Sequence, residues 1–443
     1  MRRAAWEDID ENRSVWMAGK PPYEPCPPLL ADTTADVLII GGGFTGASTA
    51  YHLARRFPER RIVLVEARLL ANGGSGRNGG LMLNWINGVH SATPEHARTI
   101  FDVTRSGIDL IEGIIREHGM KVRYSRAGCL ELYTKPERAE AAAREAEALR
   151  AAGIPLEFLS GKALEARTRA SGVEGALFDP TAGRLDGVEY LRALRDVLLS
   201  LGVVIHEGTL VRSIEEGSTV RVVTSGGEIS AKAVVLATNA YTRNLGYFRA
   251  QLFPLHSHVV ATRALEASER DDLGWGSAVG FSDDLDRVAY GSMTDSGQIV
   301  FGGGSNRAYS YRFGGRTSFA ARAERNFRAI EKRLGDYFPR AHGAAIEHRW
   351  SGPVGLTLSR VCAMGVRGEH RNVYYAFGYS GHGISLANLA GKVLCDIYSD
   401  DEARWRGLPF YEPTLYPMPP EPLRTIGYHF YTTLTGRSPR KQH

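Results

Sequence analysis

The sequence predicts an α/β protein of two domains, a Rossmann-like domain and a second domain that is rich in β-sheet. Three observations support this fold class. The chain has 443 residues, more than one ordinary hydrophobic core accommodates. A β-α-β pattern with a glycine-rich turn begins at residue 36. From about residue 247 to 345 the pattern changes to alternating strands with one long helix.

The chain begins with an irregular arm that leads into the β-α-β unit. Residues 1–35 carry five prolines, which favours an extended arm on the surface of the folded body. Continuous apolar residues predict strands at 36–40 and 61–66. Small apolar residues at helical spacing predict a helix over 46–57, which Pro58 ends.

The later elements follow from the same two periodicities. Helices are predicted at 95–118, 136–152, 187–201, 318–334 and 384–398. Strands are predicted at 203–206, 219–224, 228–232, 233–237 and 373–377, with the second and third as a hairpin. The helix at 136–152 is rich in alanine and charge, so we expect it to be exposed. The tail from residue 400 is rich in proline and aromatic residues and ends in a basic string.

Composition excludes several classes of function. The net charge of +5 is mild and the basic residues are scattered, which argues against nucleic-acid binding. The cysteines (Cys26, Cys129, Cys362 and Cys395) form no C-x-x-C pair and have no histidine at metal-ligand spacing, so we expect neither a metal site nor a disulfide framework. No uncharged apolar run approaches the ~18 residues of a membrane span, and no signal peptide is recognisable. We therefore expect a cytoplasmic protein.

The turn at 41–46 reads GGGFTG and has the G-x-G-x-x-G spacing where a strand ends and a helix begins. Gly41 permits the tight turn, Gly43 lets the backbone approach a pyrophosphate, and Gly46 lets helix and strand pack closely. The helix N-terminus offers free N–H groups to the phosphates. Glu66 follows Gly46 by 20 residues, where a carboxylate accepts hydrogen bonds from ribose hydroxyls. The pattern predicts a bound dinucleotide, either FAD or NAD.

Four segments together resemble the D-amino-acid oxidase superfamily of FAD-dependent amine oxidoreductases. They are DVLIIGGGFTGASTAYHLA with VLVEA, GGSGRNGG at 73–80, GVVIHEGTLVRSI, and ATNAYT with the later NVYYAFGYSGHGISLANLAGKVL. GYSGHG is the most specific of them, and the likeness is closest to the γ-glutamylputrescine oxidase and sarcosine–glycine oxidase branch. The resemblance covers about 36–398 and implies the two-domain FAD fold that D-amino-acid oxidase shares with glutathione-reductase-like proteins.

The resemblance also implies the residues that contact FAD. They are Gly41, Gly43, Phe44, Thr45, Gly46, Glu66, Ala67, Arg68, Ser75, Gly76, Arg77, Asn78, Gly79, Gly80, Leu81, Val211, Thr238, Asn239, Gly378, Tyr379, Ser380, Gly381, His382, Gly383 and Ile384. The helix after the last loop directs positive potential at the flavin, which favours accepting a hydride. His382 is either a further donor or a loop histidine bound to backbone. Asn78 is a cofactor contact or a turn cap, and Arg77 neutralises the pyrophosphate or lines the site.

The domains that the resemblance implies are discontinuous. We expect an arm at 1–35, an FAD domain at 36–90, 155–246 and 346–400, a substrate domain at 91–154 and 247–345, and a tail at 401–443 packed on the FAD domain. No oligomeric state is predicted.

Departures from the family pattern concern the substrate. Sarcosine oxidases attach flavin through a cysteine at a position near Gly352, where this chain has none, so we expect non-covalent FAD. Their carboxylate-binding lysine corresponds to Ser385. The arginine of glycine oxidases falls near Val354 or, by a looser alignment, at Arg349. We therefore expect a small-molecule amine other than a simple small amino acid, such as a polyamine conjugate or an amino sugar.

The implied reaction is hydride transfer from the carbon beside an amine nitrogen to the flavin, after which the imine hydrolyses. No dedicated general base is required. His382, Tyr290 and Arg349 are the candidate catalytic residues, and other residues predicted at the substrate face are His256, His258, His348 and Trp350. Each of the substrate-face candidates is alternatively a structural residue.

The electron acceptor is O2 or another acceptor. No cation stands at 290–292, where the family tends to place one, although Arg287 is close. The alternatives are an FAD oxidoreductase that acts on a hydroxy acid or desaturates a biosynthetic intermediate, and a flavin-binding subunit of a multi-component dehydrogenase. An NAD-only dehydrogenase is a third alternative, and GYSGHG argues against it because that loop seats a flavin ring.

Overall fold

The computed structural model describes residues 2–3, 9–91, 93–275, 280–285, 287–318, 324–341 and 343–435. These residues form two large sheets, a small third sheet and helices that pack against them, which confirms the predicted α/β class. The strands in chain order are β1 Arg2–Arg3, β2 Thr33–Ile40, β3 Ile62–Val65, β4 Leu81–Met82, β5 Tyr124–Ser125, β6 Cys129–Tyr133, β7 Glu157–Leu159, β8 Gly175–Asp179, β9 Gly183–Leu185, β10 Val204–His206, β11 Val211–Glu215, β12 Val220–Thr224, β13 Glu228–Leu236, β14 Phe253–Ala264, β15 Gly280–Asp283, β16 Ala289–Met293, β17 Gln298–Gly303, β18 Tyr309–Ser310, β19 Ile346–Leu356, β20 Ala363–Arg367 and β21 Val373–Phe377. The helices are α1 Phe44–Arg56, α2 Pro94–Glu117, α3 Pro136–Ala151, α4 Gly161–Glu165, α5 Gly187–Ser200, α6 Ala267–Asp272, α7 Glu324–Tyr337, α8 Gly383–Tyr398 and α9 Leu423–Thr435.

The first sheet has a parallel centre, as the β-α-β pattern predicts. Its strand order is β1-β11-β12-β13-β2-β3-β10, with β21 beside β13 and β20 beyond β21. β2, β3, β10, β13 and β21 run parallel. Helices α1, α2, α5 and α8 bury their apolar faces in one core on this sheet. The carboxyl ends of β2, β13 and β21 therefore meet at one edge, where ligands of open α/β sheets bind.

β13 differs from the sequence prediction of two separate elements at 228–232 and 233–237. It is one continuous strand, whose residues 229–231 pair with β12 while Val234–Leu236 pair with β21. Lys232 is exposed in the middle of this strand. Because a charged residue interrupts the apolar run there, the sequence pattern predicted two elements where the structure has one strand.

The second sheet carries most of the other strands. Its order is β18-β14-β17-β16-β15-β6-β8-β7, and β19 pairs with β14. Helix α7 packs Phe327, Ile330 and Leu334 into the core of this sheet. β7, β8 and β19 lie here although the sequence places their residues in the first domain. The local sequence patterns of these segments predict strands. They do not predict which strands pair, because pairing depends on contacts between distant parts of the chain.

The N-terminal arm and the C-terminal tail also differ from expectation. Among the described residues of the arm, 12–16 are largely buried against the main core, whereas 18–32 lie mostly on the surface. The tail first follows the first sheet, where Glu412 N donates to Met364 O at 2.8 Å. Its helix α9 then lies on the second sheet, where Tyr428 Oη donates to Tyr309 O at 3.2 Å. In the described ranges, no helix has the length and apolar character to cross a bilayer.

Candidate functional site

A continuous cavity of about 1460 Å³ opens at the carboxyl edge of the first sheet and extends to the second sheet. Pockets for one drug-sized ligand measure roughly 300–1,000 Å³, so this cavity has room for more than one such molecule. Its walls come from the turn after β2, the loop at 73–80, the end of β13, the start of α8 and strands of the second sheet.

The glycine turn after β2 is shaped for close backbone approach. Gly41 has a φ of +114°, and a Cβ there would lie 2.8 Å from Ala237 O. A Cβ at Gly46 would collide with Gly41 O. Helix α1 starts at Phe44 with Gly43 as its N-cap and has no side-chain cap, so its N-terminus offers N–H groups and positive potential at the cavity.

Glu66 borders the cavity beside this turn. Its Oε2 accepts a hydrogen bond from Gly42 N at 2.8 Å, and its Oε1 accepts one from Arg68 N at 3.0 Å. Burial raises the pKa of this carboxyl, while the two backbone donors oppose the rise. Glu66 therefore holds the turn in place and presents its carboxylate to the cavity.

The loop at 73–80 closes over the start of α1. Ser75 Oγ accepts from Phe44 N at 3.0 Å. Asn78 caps a turn within this loop, which was one of its two predicted roles. Its Nδ2 donates to Ser75 O at 2.8 Å and its Oδ1 accepts from Gly80 N at 2.8 Å. Asn78 and Ser75 still border the cavity.

Arg77 is almost fully buried, with 6 % of its surface exposed. Its guanidinium donates to Asn72 O at 2.7 Å, Ser351 O at 3.1 Å and Asp10 O at 2.5 Å. These carbonyls belong to the loop, to β19 and to the N-terminal arm. Arg77 thus joins three segments at the cavity wall, a role that the sequence did not predict.

The N-terminal arm binds the same loop. Asn12 Nδ2 donates to Gly76 O at 2.8 Å, and Ser14 Oγ donates to that carbonyl at 2.6 Å. Trp16 Nε1 donates to Asn78 O at 2.7 Å. Sequence reasoning missed these contacts, although two apolar residues, Val15 and Trp16, inside a proline-containing arm were a usable signal.

The last loop, at 378–383, completes the wall. Gly378 N donates to Asn239 Oδ1 at 3.0 Å, and the hydroxyls of Tyr379 and Thr45 lie 2.7 Å apart. The contact between Thr45 and Tyr379 joins the glycine-rich turn at 41–46 to the last loop, and Asn239 joins that loop to the end of β13. Helix α8 begins at Gly383 without a side-chain cap and with no acidic residue in its first turn. Its N-terminus is the second one that faces the cavity.

Most predicted cofactor residues border the cavity. These are Gly41, Gly43, Phe44, Thr45, Glu66, Ala67, Ser75, Arg77, Asn78, Gly79, Leu81, Val211, Thr238, Asn239, Tyr379, Ser380, Gly381, His382, Gly383 and Ile384. Those that do not border it are Gly46, Arg68, Gly76, Gly80 and Gly378. Gly46 acts through packing, because its missing side chain makes space for Gly41 O.

Two of the three candidate catalytic residues border the cavity, and the third does not. Tyr290 and His382 line it, and the hydroxyls of Tyr290 and Ser257 lie 2.9 Å apart. Burial raises the pKa of Tyr290 to about 12. Arg349 lies outside the lining, and its Nη2 is 2.7 Å from Glu331 Oε1 on α7. The expectation for Arg349 as a substrate clamp is therefore corrected, because its strand directs it away from the cavity.

The other substrate-face candidates also lie outside the lining. His256 and His258 are buried between strands of the second sheet, and His258 contacts Ser351 Oγ at 2.6 Å. Trp350 Nε1 donates to Arg77 O at 2.9 Å, and His348 is only partly buried. His256, His258 and Trp350 make contacts within the protein, while their role at the substrate face, like that of His348, stays a prediction.

Several lining residues had no sequence prediction. Cys129 borders the cavity as a buried thiol whose pKa burial raises. Helix α9 contributes Arg424, Gly427, Tyr428 and Tyr431. Only the aromatic content of the tail signalled a packed segment there. The position near Gly352 packs against the stem of Arg77.

The chain is similar to known proteins over most of its length. The family model described as DAO, FAD dependent oxidoreductase, matches residues 36–397. The γ-glutamylputrescine oxidoreductase of Escherichia coli is 27 % identical over 91 % of this chain and 93 % of its own. The sarcosine oxidase subunit beta of Rhizobium meliloti is 26 % identical over 62 % and 65 %. The crystal structure of glycine oxidase from Geobacillus kaustophilus superposes with a TM-score of 0.71 at 22 % identity, over 86 % of this chain and 99 % of that one.

Proposed function

Because the chain belongs to the DAO family of FAD-dependent oxidoreductases, we propose that it oxidises a C–N bond of an amine. The observation that carries this proposal is that relatives covering most of the chain are named for amine substrates, a putrescine derivative and glycine among them. The cavity beside the glycine turn supplies the space for both cofactor and amine.

The residues at the sheet edge fit FAD. The turn at 41–46 leaves no room for side chains, as a nucleotide close to the backbone requires. The N-terminus of α1 would hold the pyrophosphate, and Glu66 would accept from ribose hydroxyls. The loops at 73–80 and 378–383 would hold the flavin ring. The cavity's cysteine, Cys129, is disfavoured as a thiolate by burial, which supports non-covalent binding.

FAD supplies a hydride acceptor when it is bound. The protein's part is to bind the free-base amine, to direct its C–H bond and to stabilise negative charge on the reduced cofactor. The N-terminus of α8 provides that positive potential. His382, its N-cap residue, is proposed to donate alongside it. Because burial raises the pKa of Tyr290 to about 12, its hydroxyl stays protonated at neutral pH. Tyr290 therefore lines the cavity as a neutral hydrogen-bond donor and does not act as a base.

The substrate is proposed to be an amine without the carboxylate of a simple small amino acid. Ser385, at the position of the family's lysine, is buried, and its hydroxyl donates to Leu83 O. Arg349 is engaged with Glu331 outside the cavity. Neither residue offers a carboxylate clamp.

Electrons are proposed to pass from the reduced flavin to O2 or to another acceptor. The enzyme is proposed to act in the bacterial cytoplasm. The cysteines of the described chain are free thiols, as a reducing compartment favours. The similarity to a sarcosine oxidase subunit gives the flavin-binding-subunit alternative its basis. Turnover with oxygen by the isolated chain would contradict that alternative.

The test is the visible spectrum of the purified protein, kept anaerobic while amines, amino acids and hydroxy acids are added in turn. Flavin bands that bleach with an amine support the proposal, and re-oxidation in air identifies oxygen as an acceptor. Bleaching by a hydroxy acid alone contradicts it and supports the alternative reaction. A colourless protein that takes up no added FAD contradicts the cofactor assignment.

A further inference from the structure

We infer that α9 docks the protein on an anionic lipid surface, with the outer side of the helix inserted at the level of the lipid head groups. This inference goes beyond the proposed amine oxidation and does not depend on it. α9 packs on the second sheet, where Tyr428 Oη donates to Tyr309 O at 3.2 Å. The outer side of the helix has the apolar side chains and the basic surroundings of a helix that lies on a membrane.

The outer side of α9 is an exposed apolar stripe. Its large members recur at intervals of three and four residues and are each between 59 and 67 % exposed; they are Leu423, Ile426, Phe430 and Leu434. Of the nine large apolar side chains that are exposed in the described ranges, four therefore belong to this one helix. Phe313 is another of the nine and lies beside the start of α9, because Gly314 N donates to Glu421 Oε1 at 3.1 Å. A concentrated apolar patch of this kind marks an interaction surface.

The inner side of the same helix is the more polar one. Arg424 is buried, and its Nε donates to Pro419 O at 2.9 Å. Thr425 Oγ1 donates to Glu421 Oε2 at 2.7 Å. A surface helix of a globular protein normally turns its apolar stripe toward the core. Because α9 has the reverse arrangement, its apolar stripe is available to a partner outside the described chain.

The surroundings of α9 are basic. Arg249 is exposed, and its carbonyl accepts from Arg424 Nη1 at 3.4 Å. Arg307 is also exposed, and the residue before it, Asn306, donates from Nδ2 to Thr432 O at 2.9 Å. Residues 422–443 contain no aspartate or glutamate, and the sequence after α9 adds the cations Arg437, Arg440 and Lys441. Positive charge beside an apolar stripe complements the negative head groups of anionic lipids.

A lipid surface fits this helix better than a second copy of the chain or another protein does. A two-fold dimer through α9 would bring the same arginines of both copies close together, where like charges repel. Protein interfaces also contain about one hydrogen bond per 100–200 Å². The four apolar side chains of the stripe form none. A bilayer interface needs only apolar area with basic residues beside it.

Docking through α9 holds the protein on the membrane and does not make it span the membrane. The helix has 13 residues, whereas about 20 are needed to cross the hydrocarbon core of a bilayer. Tyr428 and Tyr431, which belong to the same helix, border the cavity. Docking therefore places one wall of the cavity close to the lipid head groups.

The test uses the full chain with FAD added, together with unilamellar vesicles of phosphatidylglycerol and phosphatidylcholine in equal parts. Co-flotation over a range of lipid concentrations measures an apparent partition constant. We expect the wild type to float with these anionic vesicles and to bind vesicles of phosphatidylcholine alone at least about tenfold more weakly, because the basic residues then lose their attraction. Added NaCl should weaken binding to the anionic vesicles.

The apolar contribution is tested by Ile426→Ser combined with Phe430→Ser. The partition constant on the anionic vesicles should fall at least about tenfold, because two apolar side chains no longer enter the lipid. Leu30→Ser combined with Leu199→Ser is the matched control, since it removes two exposed apolar side chains from the arm and from α5. The control should bind as the wild type does.

The electrostatic contribution is tested by Arg249→Gln combined with Arg307→Gln. Binding to the anionic vesicles should fall at least about threefold, while binding to phosphatidylcholine vesicles should stay unchanged. The substituted residues of all three double variants are exposed, so we expect each variant to fold. Thermal melting checks this expectation.

Loss of vesicle binding in the variant at 426 and 430, with wild-type binding in the control, supports the inference. A wild type that does not float with anionic vesicles overturns it, and so does a variant at 426 and 430 that binds as tightly as the wild type. A wild-type dimer in lipid-free buffer that this variant converts to a monomer, measured by light scattering, would assign the stripe to a second copy and also overturn the inference. Bleaching of the flavin by an amine is measured separately, so the proposed function stands or falls on its own test.

Discussion

At the residue scale, the candidate site depends on positions where a side chain has no space. Gly41 combines a φ of +114° with a Cβ position 2.8 Å from Ala237 O. Gly46 faces Gly41 O across the start of α1. These two glycines set the distance between strand and helix, and therefore the shape of the phosphate side of the cavity.

Gly46→Ala should abolish FAD binding or reduce it severely, because the added methyl group collides with the backbone at Gly41. The measurement is flavin content after purification together with an FAD titration. Gly113→Ala is the matched control, since Gly113 is exposed in α2 with open space around it, and FAD binding there should be unchanged. Normal flavin content in Gly46→Ala would contradict the assigned role of this turn.

A second residue-scale prediction concerns acid. Burial lowers the pKa of His258 from 6.5 to about 3, with a smaller contribution from His256. The unfolded chain therefore binds a proton at this residue that the folded chain does not, between pH 6.5 and 3. Stability from this residue is present above pH 6.5 and is lost as the pH falls toward 3.

His258→Gln should show a shallower loss of stability over that pH range, whatever its stability at neutral pH. The measurement is the urea midpoint of unfolding at pH 7, 6, 5 and 4. His370→Gln, at an exposed position, is the control and should keep the wild-type slope. An unchanged slope in His258→Gln would mean that other groups cause the acid sensitivity.

At the element scale, the N-terminal arm holds the loop at 73–80, which borders the cavity. Asn12 and residues 14–16 are buried, and three of these side chains donate to carbonyls of the loop at 73–80. The loop also contacts the start of α1 through Ser75, its own turn through Asn78 and β19 through Arg77. The arm therefore limits how far the loop moves away from the cavity.

Ser14→Ala combined with Trp16→Phe should release FAD faster, because each substitution removes a hydrogen bond to the loop of about 1 kcal/mol and Trp16→Phe also removes the ring that packs on Gly80. We expect the dissociation rate of FAD to rise about tenfold or more, measured by dilution into apoprotein of another flavoenzyme. Ser200→Ala, at an exposed serine that ends α5, is the control. Equal rates in both variants would show that the arm does not restrain the loop.

At the scale of the whole molecule, the site is assembled from segments that are distant in sequence. Thr45 meets Tyr379, and Asn239 meets Gly378. The second sheet and α9 then enclose the far side of the cavity. A ligand that contacts all of these segments binds only the folded arrangement, so it stabilises the fold by mass action.

Adding FAD to apoprotein should therefore raise its melting temperature. At a free concentration 100 times the Kd the stabilisation is about 2.7 kcal/mol, which corresponds to a rise of roughly 3 °C for a chain of this length. The measurement is a calorimetric scan of apoprotein with and without FAD, with riboflavin as the comparison ligand that lacks the adenine nucleotide. A melting temperature that FAD leaves unchanged would contradict the assembled site.

The sequence by itself determined the local parts of the protein. The unit from β2 through α1 to β3, the glycine turn, Glu66 and the GYSGHG loop all follow from backbone requirements that operate within a few residues. For that reason the fold class and the family resemblance are confirmed. The same locality explains why the bounds of most helices agree with prediction within a few residues.

Only the tertiary structure decided which side chains reach the cavity. Arg349 and Trp350 are neighbours on β19, and alternation along a strand sends them to opposite faces, one to Glu331 and the other to Arg77. The side-chain amide of Asn84, which borders the cavity, is oriented by its hydrogen bond to Asp179 Oδ2, a residue 95 positions away in sequence. The arm, α9 and β7 likewise join partners that no local pattern specifies, because strand pairing and side-chain direction are set by contacts between distant segments.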